Sequence, residues 1–248
     1  MDPNRQFTSP EGVIVKIWWK EKESDTVNVP ALLVSLAELS RNYEVLGIKP
    51  PLLKGLTLEF WHTENPACPR STPQDRKIDT VAGLAFGWLD KVQINCKFND
   101  DNTISHEIGH IAARRIGFDH GSFRVDWNRI RGVECTDSTP AGELIAEDLR
   151  ILFGCGKAKG FRRTDKYNYR NAIDVPGLRE FYICLANLTS DLIWYPQGVR
   201  WVLSEGKCEG YWTKSLFGWF GVPMKADHKG LYEWDIFGFK WKQVKKWG

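Results

Sequence analysis

The stretch from Thr103 to Ala112 constrains this chain more than any other, because it carries the pattern His-Glu-x-x-His. Residues four apart lie on one face of a helix, so His106 and His110 can offer two imidazoles to one metal ion. Zinc accepts nitrogen ligands at ~2.0–2.1 Å, which two histidines one turn apart reach without distorting the helix. Glu107 then points beside the metal, where it can take a proton from an activated water. The stretch therefore predicts a helix that carries a catalytic zinc site, with one zinc ion per chain.

The residues around this motif favour a buried helix beneath a cleft over a chance match. The apolar positions that continue the helical spacing are Ile104, Ile108 and Ile111. We expect Asn102 or Thr103 to cap the helix, and Gly109 to leave room for another element to approach closely.

Composition excludes several classes of protein. The 248 residues, 42% hydrophobic and 26% charged, are typical of a soluble globular protein, and a net charge of +3 is too small to indicate a nucleic-acid partner. No apolar run is long enough to cross a membrane, and Met1 to Arg5 is not followed by an apolar signal core. We therefore expect synthesis without export and a cytoplasmic or phage-associated location. The six cysteines form no C-x-x-C pair, which indicates neither a zinc ribbon nor a dense disulfide framework, and Cys96 and Cys184 are expected to be buried thiols.

The order of predicted elements indicates an α+β fold. Strands are predicted at 12–19, 56–61, 81–88 and 91–95, with a helix that starts at Asn28 and Pro30 and stops before Gly47. The helix of the His-Glu-x-x-His motif follows the last of these strands. This order predicts a twisted sheet packed against two helices, with the motif helix beneath the sheet edge. Gly83 and Gly87 fit an edge that another backbone approaches closely.

A catalytic zinc site needs a third protein ligand. A histidine six residues after His110 would stand at Ile116, and the glycine that such a motif requires would stand at Ala113, so the metzincin arrangement is excluded. A second helix is predicted from Ser138 or Thr139, with Pro140 in its first turn, to Gly154. Its Glu143 and Glu147 are four apart, so one can ligate the metal and the other can hold a ligating histidine by its free ring N–H. The alternatives are a solvated acidic face and a third ligand at His120.

The ten residues 103–112 resemble the extended signature of zincin metallopeptidases. The sequence from Glu143 to Arg150 resembles the E-x-x-A-E-x-F-R element of the gluzincin group that contains anthrax lethal factor and Pro-Pro endopeptidase. This resemblance spans about residues 80–190 and implies a zincin-like domain with a helical lower half. It further implies that Glu143 binds zinc and that Glu147 supports the site.

The resemblance also implies a substrate-binding edge strand and an oxyanion partner. The residues that match the edge strand, which would pair with the peptide backbone, are Leu84, Ala85, Phe86, Gly87 and Trp88. The group places a tyrosine seven residues before the zinc glutamate, where this chain has Thr136. The oxyanion partner is therefore unassigned, and its candidates are Tyr167, Tyr169 and His120.

The composition changes after about residue 190. Seven tryptophans and many glycines from Trp194 to Trp247 punctuate short strand-like runs, which predicts a small aromatic-rich β unit at 190–248 after a catalytic domain at 1–189. Its rings either fill the core of this unit or form a platform for a carbohydrate or protein partner.

The sequence therefore predicts a zinc-dependent endopeptidase that hydrolyses a peptide or protein substrate, with Glu107 as general base. The alternative is a non-catalytic binding or structural protein, for example of a phage particle, that keeps a zincin fold for its shape.

Overall fold

A computed structural model of the protein shows a mixed α+β chain, which confirms the predicted fold class at this level. It describes residues 3–18, 27–48, 51–61, 82–116, 127–128, 130–133, 138–160, 170–191, 199–204, 207–215, 218–220, 230–235 and 240–246. The chain forms two compact units, one from 1–45, 49–114 and 137–166 and the other from 46–48, 115–136 and 167–248. The expected domain boundary between 189 and 190 stays a prediction.

The first unit contains a five-stranded mixed sheet in the order β1-β2-β3-β5-β4. Its strands are β1 (Arg5–Thr8), β2 (Ile14–Ile17), β3 (Thr57–Trp61), β4 (Gly83–Phe86) and β5 (Lys91–Asn95). Its helices are α1 (Val29–Glu44), α2 (Asp101–Arg115) and α3 (Ser138–Phe153). β2, β3 and β5 run parallel, whereas β1 and β4 each run antiparallel to their neighbour. The sequence predicts every one of these strands except β1.

The two faces of this sheet carry different residues. On one face, apolar side chains lie in register across the parallel strands and form two buried rows. The first row is Val15, Leu58 and Val92, and the second is Ile17, Phe60 and Ile94. Each such side chain contributes about 1.5–3 kcal/mol on burial, so these rows fix the register of the strands. On the other face, Gln93 donates from Nε2 to Oε2 of the buried Glu59 at 2.8 Å.

Helix α1 begins and ends close to where the sequence predicts. The Asn28 side chain caps it by accepting a hydrogen bond from the Ala31 backbone N–H at 3.1 Å, and Pro30 lies in the first turn. At its other end, the Asn42 amide donates to the Gly154 carbonyl oxygen at 2.7 Å, and the Tyr43 ring lies 5.8 Å from the Phe153 ring. These contacts join α1 to the end of α3.

The edge strand β4 is shorter than the sequence predicts. Gly87 and Trp88 lie in a single 3-10 turn, Gly87–Leu89, and are not part of the strand. Asp90 has a left-handed backbone with φ 46°, and its N–H donates to the Gly87 carbonyl oxygen. This turn reverses the chain into β5, so only Leu84, Ala85 and Phe86 of the five expected edge residues are in strand conformation.

Cys96 and Cys155 are buried. The prediction of a buried thiol at Cys96 is confirmed. The Cys184 side chain lies outside the described side chains, so its burial stays a prediction.

The second unit contains helix α4 (Leu178–Asp191) and an antiparallel sheet. Its strands, in the sheet order β10-β9-β6-β7-β8, are β6 (Val199–Ser204), β7 (Lys207–Ser215), β8 (Gly218–Phe220), β9 (Gly230–Asp235) and β10 (Lys240–Lys246). The side chains of these strands lie outside the description, so the aromatic core or platform stays a prediction. Elsewhere in this unit, the buried Trp127 indole N–H donates to the Tyr182 hydroxyl at 2.9 Å. Within the described residues, no helix has the length and apolarity that a membrane crossing requires.

Candidate metal centre

Helix α2 carries both histidines, and it begins earlier than the sequence predicts. Asp100 caps it, because its Oδ1 accepts a hydrogen bond from the Thr103 backbone N–H at 2.8 Å. The expectation that Asn102 or Thr103 caps the helix is therefore wrong. The Asn102 side chain instead contacts helix α3, because its Oδ1 accepts a hydrogen bond from Arg150 at 3.0 Å.

Helices α2 and α3 approach each other closely at Gly109. A Cβ atom at this position would lie 2.7 Å from the Ala146 carbonyl oxygen and 3.2 Å from the Ala146 Cα. The prediction that Gly109 admits another element is confirmed, and that element is α3. Glycine is needed here because the neighbour is backbone, which cannot rotate away as a side chain can.

This close approach brings the histidines of α2 to Glu143 of α3. His106 Nε2 lies 3.2 Å from Glu143 Oε2, and His110 Nε2 lies 3.6 Å from Glu143 Oε1. The two imidazole planes cross at 86°, with ring centroids 5.0 Å apart. His106 and His110 are about three-quarters buried, whereas the Glu143 side chain is 53% exposed. The group is therefore open on the Glu143 side.

The donor atoms of this group fit a small metal ion. One atom from each of His106, His110 and Glu143 lies within 4.8 Å of the other two, so the group could hold a metal ion. Ligand atoms ~2.0–2.1 Å from a tetrahedral zinc ion are about 3.3 Å apart, close to the two histidine–glutamate distances. Zinc binds imidazole nitrogens and carboxylate oxygens, whereas calcium and magnesium bind oxygen ligands. A set of two imidazoles and one carboxylate therefore favours zinc.

The electrostatics of the group follow from its mixed burial and charge. Burial by itself lowers the pKa of His106, but hydrogen bonds with Glu143 and Glu147 outweigh it and raise that pKa to about 9. The same contact with His106, joined by His110, holds the pKa of Glu143 far below its usual range. A proton on His106 and a metal ion therefore compete for the same electron-rich position.

Glu147 lies on the other side of the His106 ring. Its Oε2 is 3.2 Å from His106 Nδ1, while Glu143 faces Nε2. Burial tends to raise the pKa of Glu147, but His106 and Arg150 lower it to about 2. The structure thus places Glu143 and Glu147 on opposite ring nitrogens of one histidine, and their roles as ligand and support stay predictions.

Glu107 points away from the solvent and towards the edge strand. It is 7% exposed, and a Cβ at Gly83 would lie 2.6 Å from Glu107 Cγ and 2.8 Å from Oε1. Burial raises the pKa of Glu107 above its usual value. A Cβ at Gly87 would likewise lie 2.7 Å from Cδ of Arg114. Gly83 in β4 and Gly87 in the turn that follows it therefore lie against side chains of α2. The expected approach of another backbone to this edge stays a prediction.

Several predicted site residues lie outside the described part of the chain. These are the oxyanion candidates Tyr167, Tyr169 and His120, together with Thr136 and the side chain of Trp88. One contributor to the site was missed by sequence reasoning, namely Arg150, whose guanidinium binds Glu147. The signal was present, because Glu147 and Arg150 are three apart on a helix and carry opposite charges.

No protein-family model, curated protein or solved structure matches this chain significantly. The inference of function therefore rests on the residues themselves. Its firmest basis is the group of His106, His110 and Glu143.

Proposed function

We propose that the protein is a zinc-dependent endopeptidase of the gluzincin type, in which His106, His110 and Glu143 hold the ion. The observation that carries this proposal is the convergence of two imidazoles and one carboxylate from α2 and α3. Three protein ligands leave a fourth position of a tetrahedral ion open, which is the arrangement of catalytic zinc sites. The Glu107 carboxylate, next to the first histidine in sequence, supplies the proton-transfer group that peptide hydrolysis needs.

Zinc bound by these residues would polarise both a water molecule and the scissile carbonyl and lower the pKa of the water to ~7. In this proposal, Glu107 accepts the proton of that water and then delivers it to the nitrogen of the leaving amine. Strand β4 lies at an edge of the described sheet, so Leu84–Phe86 can pair with an extended peptide backbone. The burial of Glu107 against β4 excludes bulk water from the proton transfer.

The second candidate function is a non-catalytic binding or structural protein, for example of a phage particle, that retains a zincin fold. The same burial of Glu107 favours it, because a carboxylate that is 7% exposed beside Gly83 has little access to a water molecule. The two functions differ in whether Glu107 affects turnover.

The zinc content of the purified full-length protein tests the metal site. We expect about one zinc ion per chain in the wild type, and loss or strong weakening in Glu143→Ala, because this change removes the only ligand from α3 in the proposed set. Glu180→Ala, at an exposed position on helix α4, is the matched control and should keep its zinc. An unchanged zinc content in Glu143→Ala would show that the third ligand is another residue. A wild-type protein that contains no zinc after zinc is offered would reject the metal site.

Turnover of a peptide library separates the two candidate functions. We expect Glu107→Gln to retain zinc and to lose cleavage that the wild type shows, because glutamine keeps the shape of the side chain but cannot accept the proton. Cleavage by the variant at the wild-type rate would refute the role of Glu107. Absence of cleavage by the zinc-loaded wild type across the library would favour the non-catalytic function.

A further inference from the structure

Arg150 is a buried arginine that contacts Glu147, whose carboxylate lies against the His106 ring of the candidate metal site. It is 4% exposed, and it forms a two-pronged contact with the Glu147 carboxylate: Nε donates to Oε2 at 2.8 Å and Nη2 donates to Oε1 at 2.6 Å. Its remaining nitrogen, Nη1, donates to Asn102 Oδ1 at 3.0 Å and to the Ala158 carbonyl oxygen at 2.9 Å. The guanidinium is therefore fixed from three directions, by α3 itself, by the first turn of α2 and by the turn that follows α3.

The contact with Arg150 bears on which nitrogen of the His106 ring carries the proton. A carboxylate held by two guanidinium N–H groups is ionised and can only accept hydrogen bonds. The proton between Glu147 Oε2 and His106 Nδ1, which are 3.2 Å apart, must then belong to Nδ1. In the neutral ring, Nε2 is left with a free lone pair, and Nε2 is the atom that faces Glu143.

We propose that Arg150 is a positioning residue of the metal site, which fixes Glu147 and through it the orientation and tautomer of His106. This inference rests on the proposed zinc function. Supporting partners of ligating histidines typically contribute 10–100-fold to metal affinity, although they never touch the ion.

The charge of Arg150 and its positioning role predict opposite changes in zinc affinity when Arg150 is replaced. The direction of the measured change therefore tests the proposal. Arg150 is a buried cation that only the Glu147 side chain separates from the ligand His106, and it repels a divalent ion. If charge were the whole effect, removal of this charge would strengthen zinc binding. Positioning predicts weaker binding, because an unrestrained Glu147 no longer holds the His106 ring. Arg150→Lys separates the two effects further, since lysine keeps the charge but cannot form the two-pronged contact.

The experiment compares zinc affinities of full-length variants by competition with a chromophoric chelator. We expect Arg150→Met and Glu147→Gln each to weaken zinc binding by about 10–100-fold, and Arg150→Lys to weaken it as well. In the double variant Glu147→Gln/Arg150→Met, the loss should not exceed that of Glu147→Gln alone, because Arg150 acts through Glu147. This double variant also avoids an unpaired buried charge, so it keeps the test open where Arg150→Met alone does not fold.

Arg131→Met is the matched control. Arg131 is 3% exposed and donates to the Arg170 carbonyl oxygen, so its loss costs stability as the loss of any buried arginine does. We expect its zinc affinity to stay at the wild-type value, which separates positioning from general destabilisation. A second readout is the exchange of the His106 Nδ1 proton with solvent in the zinc-loaded protein, followed by NMR. This exchange should be slow in the wild type and in Arg131→Met and faster in the variants at 147 and 150.

Each result decides something. Zinc affinity in Arg150→Met equal to or higher than that of the wild type would overturn the inference and leave the zinc site intact. Losses that multiply in the double variant would show that Arg150 does not act through Glu147. Absence of zinc binding in the wild type itself would reject the proposed function, and the inference with it.

Discussion

A methyl group added at Gly109 would meet the backbone of α3, the helix that carries Glu143. The Cβ of Gly109→Ala would lie 2.7 Å from the Ala146 carbonyl oxygen, whereas ordinary contacts begin near 3.4 Å. The helices must therefore separate by about 0.7 Å, because neither a helix backbone nor a methyl group can rotate out of the way.

Two opposing effects set the change in stability. Alanine is favoured over glycine inside a helix by about 1 kcal/mol, and overpacking of a close contact costs about 1–3 kcal/mol. We expect the overpacking to win because all three atoms nearest to the added Cβ are backbone atoms of Ala146. The free energy of unfolding of Gly109→Ala should therefore fall by up to about 2 kcal/mol.

The effect on the metal site should be larger than the effect on stability. Metal–ligand distances tolerate about 0.2 Å, and α3 carries Glu143 away from both histidines as it moves. We expect the zinc affinity of Gly109→Ala to fall by about tenfold or more. Chemical denaturation of the metal-free protein and a chelator competition measure the two quantities separately.

Gly142→Ala is the matched control, since Gly142 is also helical and a Cβ there meets no described atom within 4 Å. Only the propensity gain remains at this position, so we expect Gly142→Ala to be more stable than the wild type by about 0.5–1 kcal/mol. If Gly109→Ala is stabilised by the same amount and keeps the wild-type zinc affinity, the argument from close approach is wrong.

Three further predictions concern the surroundings of the site. Asp100→Ala should lower the free energy of unfolding by about 1 kcal/mol, because the Thr103 N–H loses its cap, and Asp100→Asn should retain most of that stability in denaturation curves. Gly83→Ala should keep zinc, because the added Cβ meets Glu107 and none of the proposed ligands, but its peptidase turnover should fall. Wild-type turnover would contradict the placement of Glu107. Burial raises the pKa of Cys155 to about 12, so little thiolate exists at pH 8. Peptide mapping should therefore find this thiol alkylated far more slowly in the native protein than in the unfolded protein. Equal rates would contradict its burial.

The sequence predicts well what local periodicity controls. The four-residue spacings place His106 with His110 and Glu143 with Glu147 on shared helix faces, and both pairs lie on helices that the sequence predicts. The meeting of the two helices is a tertiary event that spacing alone does not determine. We predict this meeting from the need for a third zinc ligand on a second helix and from the resemblance of two short elements to gluzincins. Zinc binding and catalysis stay predictions.

The misses have local physical causes. Asp100 caps α2 because its carboxylate reaches the Thr103 N–H, an option that the choice between Asn102 and Thr103 omitted. The strand predicted through Gly87 and Trp88 ends early because the left-handed backbone at Asp90 closes a 3-10 turn. The spacing of Glu147 and Arg150 indicates an ion pair, but it does not report that the arginine is buried and holds the carboxylate by two nitrogens.

The division of the chain has a consequence for its biosynthesis. Residues 116–136, which belong to the second unit, lie in sequence between the two helices that supply the donors, and Glu143 follows His106 by 37 residues. Neither unit is a continuous piece of polypeptide. On the ribosome, a nascent chain that has released both histidines still lacks its third donor, and the first unit is complete only once residue 166 has emerged. Under the proposed zinc function, the three donors can therefore hold the ion together only after Glu143 has emerged.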